Sequence, residues 1–447
     1  MKHIINRQYA YFFSYNLQGD KMLALINKIF WAIAISMIFL NAIYFSIKLK
    51  FPQLRFKKIF QAIKNKEIKQ NISAKDSLIM SLGSKIGAGS VAGIAFAIFY
   101  GGIGTIFWIW VSSFLISINC YLENGLAIIY KEKDKEFHKG GPAYYIKKGL
   151  NKKRLSIIYS IIAICTYIFG YISIQNNTIT TLTTEIYNID KIIISLIITI
   201  LTGIVIIKGL KTINNIFKTI VPIMTTLYIT MGIIVIILNI NIMPTVLLSI
   251  IKAAFNNKAL TGGIIYTFII GMQKSIFANE AGLGTSAIMS GSSENNNPKK
   301  QGFLGVFENY FITLIITSVT AFIVILSSYN KLNLSNINGI EIAKHAFFEH
   351  FGHFGEIMLL IILCLFSISS IIGLYYFGES NLKNLTKKQY LINTLKVITI
   401  IIIFFGGISP SVAIWRIVDL LVALLAIINT YAIFKLKVII IKKLKPN

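Results

Sequence analysis

The chain has 447 residues, of which 55% are hydrophobic and only 14% are charged, and its mean hydropathy is +0.70. A soluble chain normally carries about 25% charged residues, so the composition favours a membrane protein. The formal net charge of +27 would suit a nucleic-acid-binding protein. However, the Lys and Arg residues lie mainly in short loops between apolar runs, as in cytoplasmic loops of membrane proteins. We therefore expect the lipid bilayer, and not nucleic acid, as a partner.

Apolar runs of roughly twenty residues recur along the chain, each long enough to cross a ~30 Å hydrocarbon layer as a helix. The runs are continuous instead of alternating, which favours helices over a closed barrel. The sequence predicts an all-α membrane protein with about eleven transmembrane helices. Their predicted ranges are 29–48, 78–98, 103–130, 155–175, 191–207, 217–240, 262–283, 303–327, 355–377, 390–408 and 411–434.

The basic residues predict the orientation. Lys and Arg number 31 on one side of the alternating loops and 9 on the other, and the richer side is expected in the cytoplasm. We predict a multi-pass protein of the bacterial inner membrane, with the N-terminus outside and the C-terminus in the cytoplasm. The first run lacks a small-residue cleavage site and is predicted to be a retained helix. The basic segment 48–75 fits either an amphipathic surface helix or a solvated loop.

Two of the apolar runs are interrupted by glycines. The second run has four glycines between Gly83 and Gly93, each costing ~1 kcal/mol relative to Ala in a helix. The seventh has a similar interruption between Gly271 and Gly284. Such interruptions either allow close helix packing or expose backbone groups to a solute at the midplane of a transporter. Each run opens a block of five predicted helices, and blocks of odd length have opposite orientations. This arrangement predicts an inverted repeat with a midplane site.

This pattern divides the chain into three predicted regions. Residues 1–76 hold the first helix and a basic cytoplasmic loop, 77–261 the first five-helix repeat, and 262–447 the second repeat with a basic tail.

Enzyme and metal motifs receive weaker support. Gly87-x-Gly89-x-x-Ala92 matches a dinucleotide fingerprint but lacks its strand context. Ser90 lacks the flanking glycines of a nucleophile elbow, and no histidine lies in an apolar run. We predict that the chain is not an enzyme.

The remaining chemically reactive side chains receive structural interpretations. Five residues of segment 329–354 could approach a metal ion, although loop histidines are usually only polar; these are Glu341, His345, Glu349, His350 and His353. Three cysteines are interpreted as small hydrophobic residues; these are Cys120, Cys165 and Cys364. Eight ionisable residues fall inside apolar runs and are predicted mostly to form ion pairs. They are Lys85, Glu123, Lys274, Glu280, Glu308, Glu379, Arg416 and Asp419.

Several motifs together resemble the alanine or glycine:cation symporter family of bacteria and archaea. The first is Gly87-x-Gly89-x-x-Ala92-Gly93, which continues into Phe107-Trp108-Ile-Trp110. The second is Phe277-Ala-Asn279-Glu280-Ala-Gly282-Leu283-Gly284, followed by Gln301-Gly302. Further matches are Phe51-Pro52-Gln53-Leu54-Arg55, Gly140-Gly141-Pro142-Ala-Tyr144-Tyr145, Gln175-x-Asn177, Pro222-x-Met224-x-x-x-Tyr228, Tyr375-Tyr376-x-Gly378-Glu379 and Trp415-x-x-x-Asp419. The resemblance spans nearly the whole chain.

This resemblance implies a LeuT-like core of 5+5 helices with one extra N-terminal helix. It implies symport of a small neutral amino acid, such as alanine or glycine, driven by sodium or less commonly by protons. No cofactor beyond this coupling ion is implied. The implied sodium ligands are backbone groups of Ile86 and Ala88 and the hydroxyls of Ser369 and Ser370. On an apolar helix, such hydroxyls most often bond to their own backbone instead.

The substrate site implied by the resemblance lies at the two interruptions. We expect the substrate's amino and carboxylate groups to meet exposed backbone at 87–90 and 275–279. The implied substrate-binding residues are Gly87, Ala88, Gly89, Ser90, Gln175, Ser275, Phe277 and Asn279.

This chain departs from the family pattern at four positions. The family usually has Thr where this chain has Ala88 and Asn where it has Ser90. It usually has Asp where this chain has Ile312 and Trp where it has Leu374. A site that hydrogen-bonds its ligand discriminates sharply, so loss of such groups should shift or relax selectivity. A divergent transporter of another small solute, or one with altered or proton coupling, is therefore the main alternative. A passive channel and an intramembrane enzyme are the remaining ones.

Overall fold

The computed structural model describes residues 21–64, 71–134, 137–256, 263–329, 339–409 and 412–446. Within these ranges the chain is helical apart from turns, short connections and one small antiparallel hairpin, β1 (Glu132–Asp134) and β2 (Phe137–Lys139).

The first part of the chain contains the first interrupted helix. Its elements are α1 (Lys21–Lys48), a short 3-10 turn (Pro52–Leu54), α2 (Phe56–Lys64), α3 (Ala74–Lys85), α4 (Ala88–Gly101), α5 (Gly104–Tyr130) and α6 (Pro142–Gly149). The Ser73 and Asp76 side chains form a capping box that fixes the start of α3. The axes of α3 and α4 differ by 51° across Ile86 and Gly87.

The middle of the chain forms three long helices and a short one. They are α7 (Lys153–Ile164), which continues through a π-helical segment (Cys165–Tyr171) into α8 (Ile172–Tyr187), then α9 (Lys191–Lys208), α10 (Leu210–Leu238) and α11 (Met243–Ala254).

The last part contains the second interrupted helix and a second π-helical segment. Its elements are α12 (Gly263–Asn279), α13 (Thr285–Gly291), α14 (Pro298–Tyr310), a π-helical segment (Phe311–Thr317), α15 (Ser318–Ile325), α16 (Gly339–Leu385), α17 (Gln389–Ile408), α18 (Val412–Lys435) and α19 (Lys437–Leu444). Helix α16 is bent at Gly352, where φ is 60°.

Burial separates central from peripheral helices. On α9, large apolar side chains such as Ile193 and Ile200 are about half exposed, as expected for a surface that faces lipid. Helix α3 is buried on nearly every side although it is not strongly apolar. It packs against α10, α13, α14 and α16, and its polar groups therefore need partners inside the protein. This central position makes the end of α3 a suitable place for a binding site.

The all-α membrane fold predicted from the sequence is confirmed. Among the described residues, nine helices are long and apolar enough to cross a membrane, or ten when α3 and α4 count as one bent span. All eleven predicted runs fall on helices, and the run predicted at 262–283 falls mainly on α12, which has 17 residues. The count of eleven, the inverted repeat and the division into three regions remain predictions.

Several predicted helix limits were wrong. The fourth helix continues to Tyr187, because polar turns extend it beyond its apolar run. The ninth predicted helix agrees with the part of α16 that follows the kink at Gly352, and a separate helical segment from Gly339 precedes that kink. The seventh stops at Asn279, since Glu280, Gly282 and Gly284 all have positive φ. In the basic segment, residues 56–64 form α2, with Phe56 and Phe60 exposed and Ile59 and Ala62 buried. Residues 65–70 and 1–20 lie outside the described residues.

Candidate substrate and cation site

The first interruption consists of two residues between α3 and α4. Ile86 caps the C-terminal end of α3, and Gly87 adopts an extended backbone before α4 begins. The Gly87 N–H donates to the Lys85 carbonyl at 2.9 Å. The start of α4 therefore presents backbone N–H groups next to carbonyl groups at the end of α3, which suits anions at one side and cations at the other.

The two predicted cation-binding serines of α16 contact this interruption. Ser370 Oγ donates to the Ile86 carbonyl at 3.4 Å. Ser369 Oγ lies 2.8 Å from the Gly83 carbonyl and 2.9 Å from the Phe366 carbonyl. Two hydroxyl and three carbonyl oxygens thus gather between α3 and α16, and such oxygens suit a hard cation such as sodium.

Gln175 closes the other side of the first interruption. Its Oε1 accepts a hydrogen bond from the Ala88 N–H at 3.1 Å. A Cβ atom at Gly87 would lie 2.6 Å from Gln175 Nε2 and 2.7 Å from Ser370 Oγ. Glycine at position 87 therefore lets α8 and α16 approach the interrupted backbone together.

One face of α4 borders open space. Gly89 is exposed, and a Cβ atom at either Gly89 or Gly93 would meet nothing within 4 Å. Phe96 follows on the same face, one turn further along. Ser90 lies on another face, where it is buried and its carbonyl accepts from Thr320 Oγ1 at 3.2 Å. The backbone at Gly89 is thus accessible to a small solute, whereas Ser90 packs against α15.

The second interruption lies later than predicted. Ser275, Phe277 and Asn279 all belong to α12, so the prediction of exposed backbone at 275–279 is wrong. The backbone opens instead at 280–284, where Gly282 and Gly284 have φ of 91° and 85°. Glycine can adopt these angles without the steric cost that other residues incur.

Because their backbone is helical, the three predicted site residues of α12 can contribute only their side chains to a site. Asn279 Nδ2 donates to Thr313 Oγ1 and, at 3.0 Å, to the Ser275 carbonyl. Ser275 Oγ and Asn279 Oδ1 are buried without a hydrogen-bond partner, and buried polar atoms of this kind need an explanation. Phe277 stacks on Trp31 of α1 at 5.7 Å between ring centres. Helix α12 packs against α4.

The sequence missed three oxygens of this site. The carbonyls of Gly83 and Phe366 and the hydroxyl of Thr313 contact predicted site residues but were not singled out. A sequence signal exists for Phe366, which precedes Ser369 by three residues on one helix face. For Gly83 and Thr313 the contact depends on how helices pack. Ala88, predicted as a cation ligand, begins α4 and contacts Gln175 through its N–H.

Of the eight ionisable groups predicted mostly to form ion pairs, Lys85, Glu308 and Glu379 do so by direct contact. Lys85 Nζ lies 2.9 Å from Glu308 Oε1, and Lys383 Nζ lies 2.8 Å from Glu379 Oε1. Glu123 instead accepts from Asn429 at 2.7 Å. The side chain of Arg416 lies outside the described residues.

The histidines of the 339–353 region have separate partners. His350 contacts the Ile323 carbonyl at 2.9 Å and His353 contacts Glu356 at 2.9 Å. Within the described ranges, no three His, Cys, Asp or Glu residues are grouped to hold a metal ion.

The fold and this geometry define a multi-pass helical membrane protein with a buried polar site between an interrupted helix and its neighbours. This is the class of secondary transporters. The sequence pattern of the Sodium:alanine symporter family matches residues 16–446, and the chain belongs to this family.

Named relatives agree with this assignment. The amino-acid carrier protein AlsT of Bacillus subtilis is 30% identical over 88% of this chain and 84% of its own length. The probable sodium/glutamine symporter GlnT of the same organism is 31% identical over 95% of this chain and 90% of its own length. The sodium/alanine symporter AgcS of Methanococcus maripaludis is 26% identical over 94% and 95%. The chain is therefore a transporter and not an enzyme, within a family of cation-coupled amino-acid symporters.

Proposed function

We propose that the protein carries a small neutral amino acid, such as alanine or glycine, into the cell together with sodium. Transport proceeds by alternating access in a LeuT-like arrangement of two inverted five-helix repeats preceded by α1. The observation that carries this proposal is the convergence of Ser370, Gln175 and Gly87 on one unwound turn.

Sodium is proposed to bind between α3 and α16. The ligands are the hydroxyls of Ser369 and Ser370 and the carbonyls of Gly83, Ile86 and Phe366. In the structure both hydroxyls donate hydrogen bonds to these carbonyls. A cation would turn the protons away and draw the same oxygens together, which orders the end of α3.

The substrate is proposed to bind beside Gly89 at the start of α4. Its carboxylate lies at the first turn of α4, where the helix dipole favours negative charge. Gln175 fixes that turn, while Phe277, Ser275 and Asn279 form the wall contributed by α12. Coupling arises because sodium has already ordered the interruption, so substrate binding no longer bears that entropic cost.

The main alternative is a different small solute in the same site. Leu374 and Ile312 are buried apolar residues where the family pattern has Trp and Asp, which favours altered selectivity. The relative named as a probable sodium/glutamine symporter makes glutamine a specific candidate. Proton coupling at the same site is the corresponding alternative for the driving ion.

Radiolabelled uptake into proteoliposomes tests this function. Alanine uptake stimulated by an inward sodium gradient, and blocked by excess unlabelled alanine, is expected. Uptake of glutamine alone would assign the other substrate, and stimulation by a pH gradient alone would assign proton coupling. Uptake indifferent to either gradient would contradict coupled transport.

A further inference from the structure

The buried ammonium group of Lys85 joins the two interruptions. Lys85 is the last residue of α3, directly before the first interruption, and its Nζ donates to the carbonyl of Asn279 at 2.9 Å. Asn279 is the last residue of α12, directly before the second interruption. Lys85 Nζ also donates to Ser286 Oγ, on α13 beyond the second interruption. One side chain therefore contacts both interrupted helices at their open ends.

Glu308 on α14 completes this group. Its Oε1 lies 2.9 Å from Lys85 Nζ and accepts from Ser81 Oγ at 2.7 Å and Ser286 Oγ at 3.3 Å. The Lys85 and Glu308 side chains are 1% and 3% exposed. All three ammonium protons have acceptors, and Glu308 Oε1 has three donors. A buried pair is tolerated only when its remaining hydrogen-bonding capacity is satisfied in this way.

We propose that Lys85 is a positioning residue that transmits sodium binding from the first interruption to the second. This inference rests on the proposed sodium site at Ile86, which adjoins Lys85. When sodium draws Ile86 toward Ser370, the end of α3 is fixed, and with it the ammonium group that holds the Asn279 carbonyl. Glu308 anchors the opposite side of that group on α14. The Asn279 and Ser275 side chains are then held in place for the substrate.

A purely structural role makes a different prediction. A pair that only stabilises the fold would change unfolding, but it would not make the second interruption respond to a cation bound at the first. The response of residues 279–286 to sodium alone therefore isolates the proposed role, and it requires no knowledge of the substrate.

Hydrogen–deuterium exchange in detergent, in sodium chloride against choline chloride, measures this response. In the native chain, sodium should slow exchange both at 86–90 and at 279–286, the second by about tenfold, a usual size for coupling between sites. The test variant is Lys85→Met/Glu308→Gln, which removes both charges of this ion pair together. The control is Lys383→Met/Glu379→Gln, which removes another paired Lys and Glu on α16.

The inference predicts that, in the test variant, sodium still slows hydrogen exchange at 86–90 but slows exchange at 279–286 by less than about twofold. The control should respond as the native chain does. Protection of both segments in the test variant would overturn the role of Lys85 and leave the sodium site intact. Protection of neither segment in the native chain would overturn the sodium site and the transmission together.

A second variant keeps the test decisive if the double variant does not fold. Ser286→Ala leaves the ion pair intact but removes one acceptor of Lys85. Sodium protection at 279–286 should then fall by about threefold relative to the native chain, and unchanged protection would contradict the inference.

Discussion

Ser369 and Ser370 are neighbours in sequence, yet their hydroxyls reach carbonyls one turn apart on α3. Ser369 contacts Gly83, and Ser370 contacts Ile86. Consecutive residues on a helix point about 100° apart, and here Ser369 contacts the last turn of α3 while Ser370 contacts the interruption that follows it.

Removing either hydroxyl tests the cation ligands. Ser369→Ala or Ser370→Ala should raise the sodium concentration for half-maximal uptake about tenfold, equivalent to ~1.4 kcal/mol, with little change in melting temperature. Sodium-titrated uptake measures the effect. The control is Ser367→Ala on the same helix, whose buried Oγ has no hydrogen-bond partner. A sodium requirement unaltered in both variants would contradict this placement.

Glycine at position 87 is required by two neighbours at once. In Gly87→Ala the new methyl group would lie 2.6 Å from Gln175 Nε2 and 2.7 Å from Ser370 Oγ. Relieving such contacts usually costs about 1–3 kcal/mol, and here it would separate α8 and α16 from the interruption. Uptake should fall more than about tenfold.

The matched control for that substitution is Gly203→Ala in α9, where a Cβ would meet Ile400 at an ordinary 3.5 Å. Its uptake and melting temperature should resemble those of the native chain. Equal losses in both variants would indicate a general effect of replacing glycine.

At the scale of elements, the short distance between α3 and α16 fixes how these two helices pack. A Cβ at Gly373 would lie 2.0 Å from Ser84 Oγ and 3.0 Å from Ser84 Cα. The second of these contacts involves backbone, which cannot move aside cheaply. Gly373→Ala should therefore displace α16 as a whole, lowering the melting temperature and the sodium affinity together. If the variant keeps both its melting temperature and its sodium affinity, the two helices do not need to approach so closely.

A lysine holds the loop after α13 to the end of α5. Lys131 Nζ donates to the carbonyls of Ser293 at 2.8 Å and Asn295 at 2.7 Å. Burial lowers the pKa of Lys131 from 10.5 to about 8, and the Glu294 carboxylate only partly opposes this shift. Between these values the unfolded chain binds more protons than the folded one, so this residue's contribution to stability rises with pH.

The corresponding measurement compares melting temperatures of the native chain and Lys131→Met between pH 7 and 10. The native chain should gain stability relative to the variant as pH rises above about 8. Lys133→Met, at an exposed neighbouring residue, controls for the loss of one charge. A constant difference across this range would contradict the prediction.

The sequence predicted which segments form helices better than it predicted where those helices begin and end. Continuous apolar runs located every long helix, because burial in lipid demands them. The polar extension at 176–187 and the separate helical segment before Gly352 carry no such signal. The resemblance to a family located Ile86, Gln175 and Ser370 at one site. The carbonyls of Gly83 and Phe366 were missed because every residue has a carbonyl, and only tertiary packing selects which ones face a ligand.

For the whole molecule, the distribution of basic residues makes a prediction about orientation that can be tested. We expect the connection before α9 to lie outside and the connection between α16 and α17 to lie in the cytoplasm. Cysteines introduced as Lys191→Cys and Lys387→Cys should report this with a membrane-impermeant maleimide. The first should react in intact cells and the second only after permeabilisation, in a background with Cys165 and Cys364 replaced by Ala. The opposite pattern would contradict the predicted orientation.

The two π-helical segments, Cys165–Tyr171 and Phe311–Thr317, constrain how this chain can tolerate changes in length. Each holds one residue more than a regular helix of the same rise needs. Deleting one residue from the first segment would therefore remove that extra residue, leave a regular helix of the same rise and keep Gln175 directed at Ala88. The same deletion in a regular helix would rotate everything after it by about 100°, so these two segments are places in the membrane spans where a one-residue deletion would preserve the binding site.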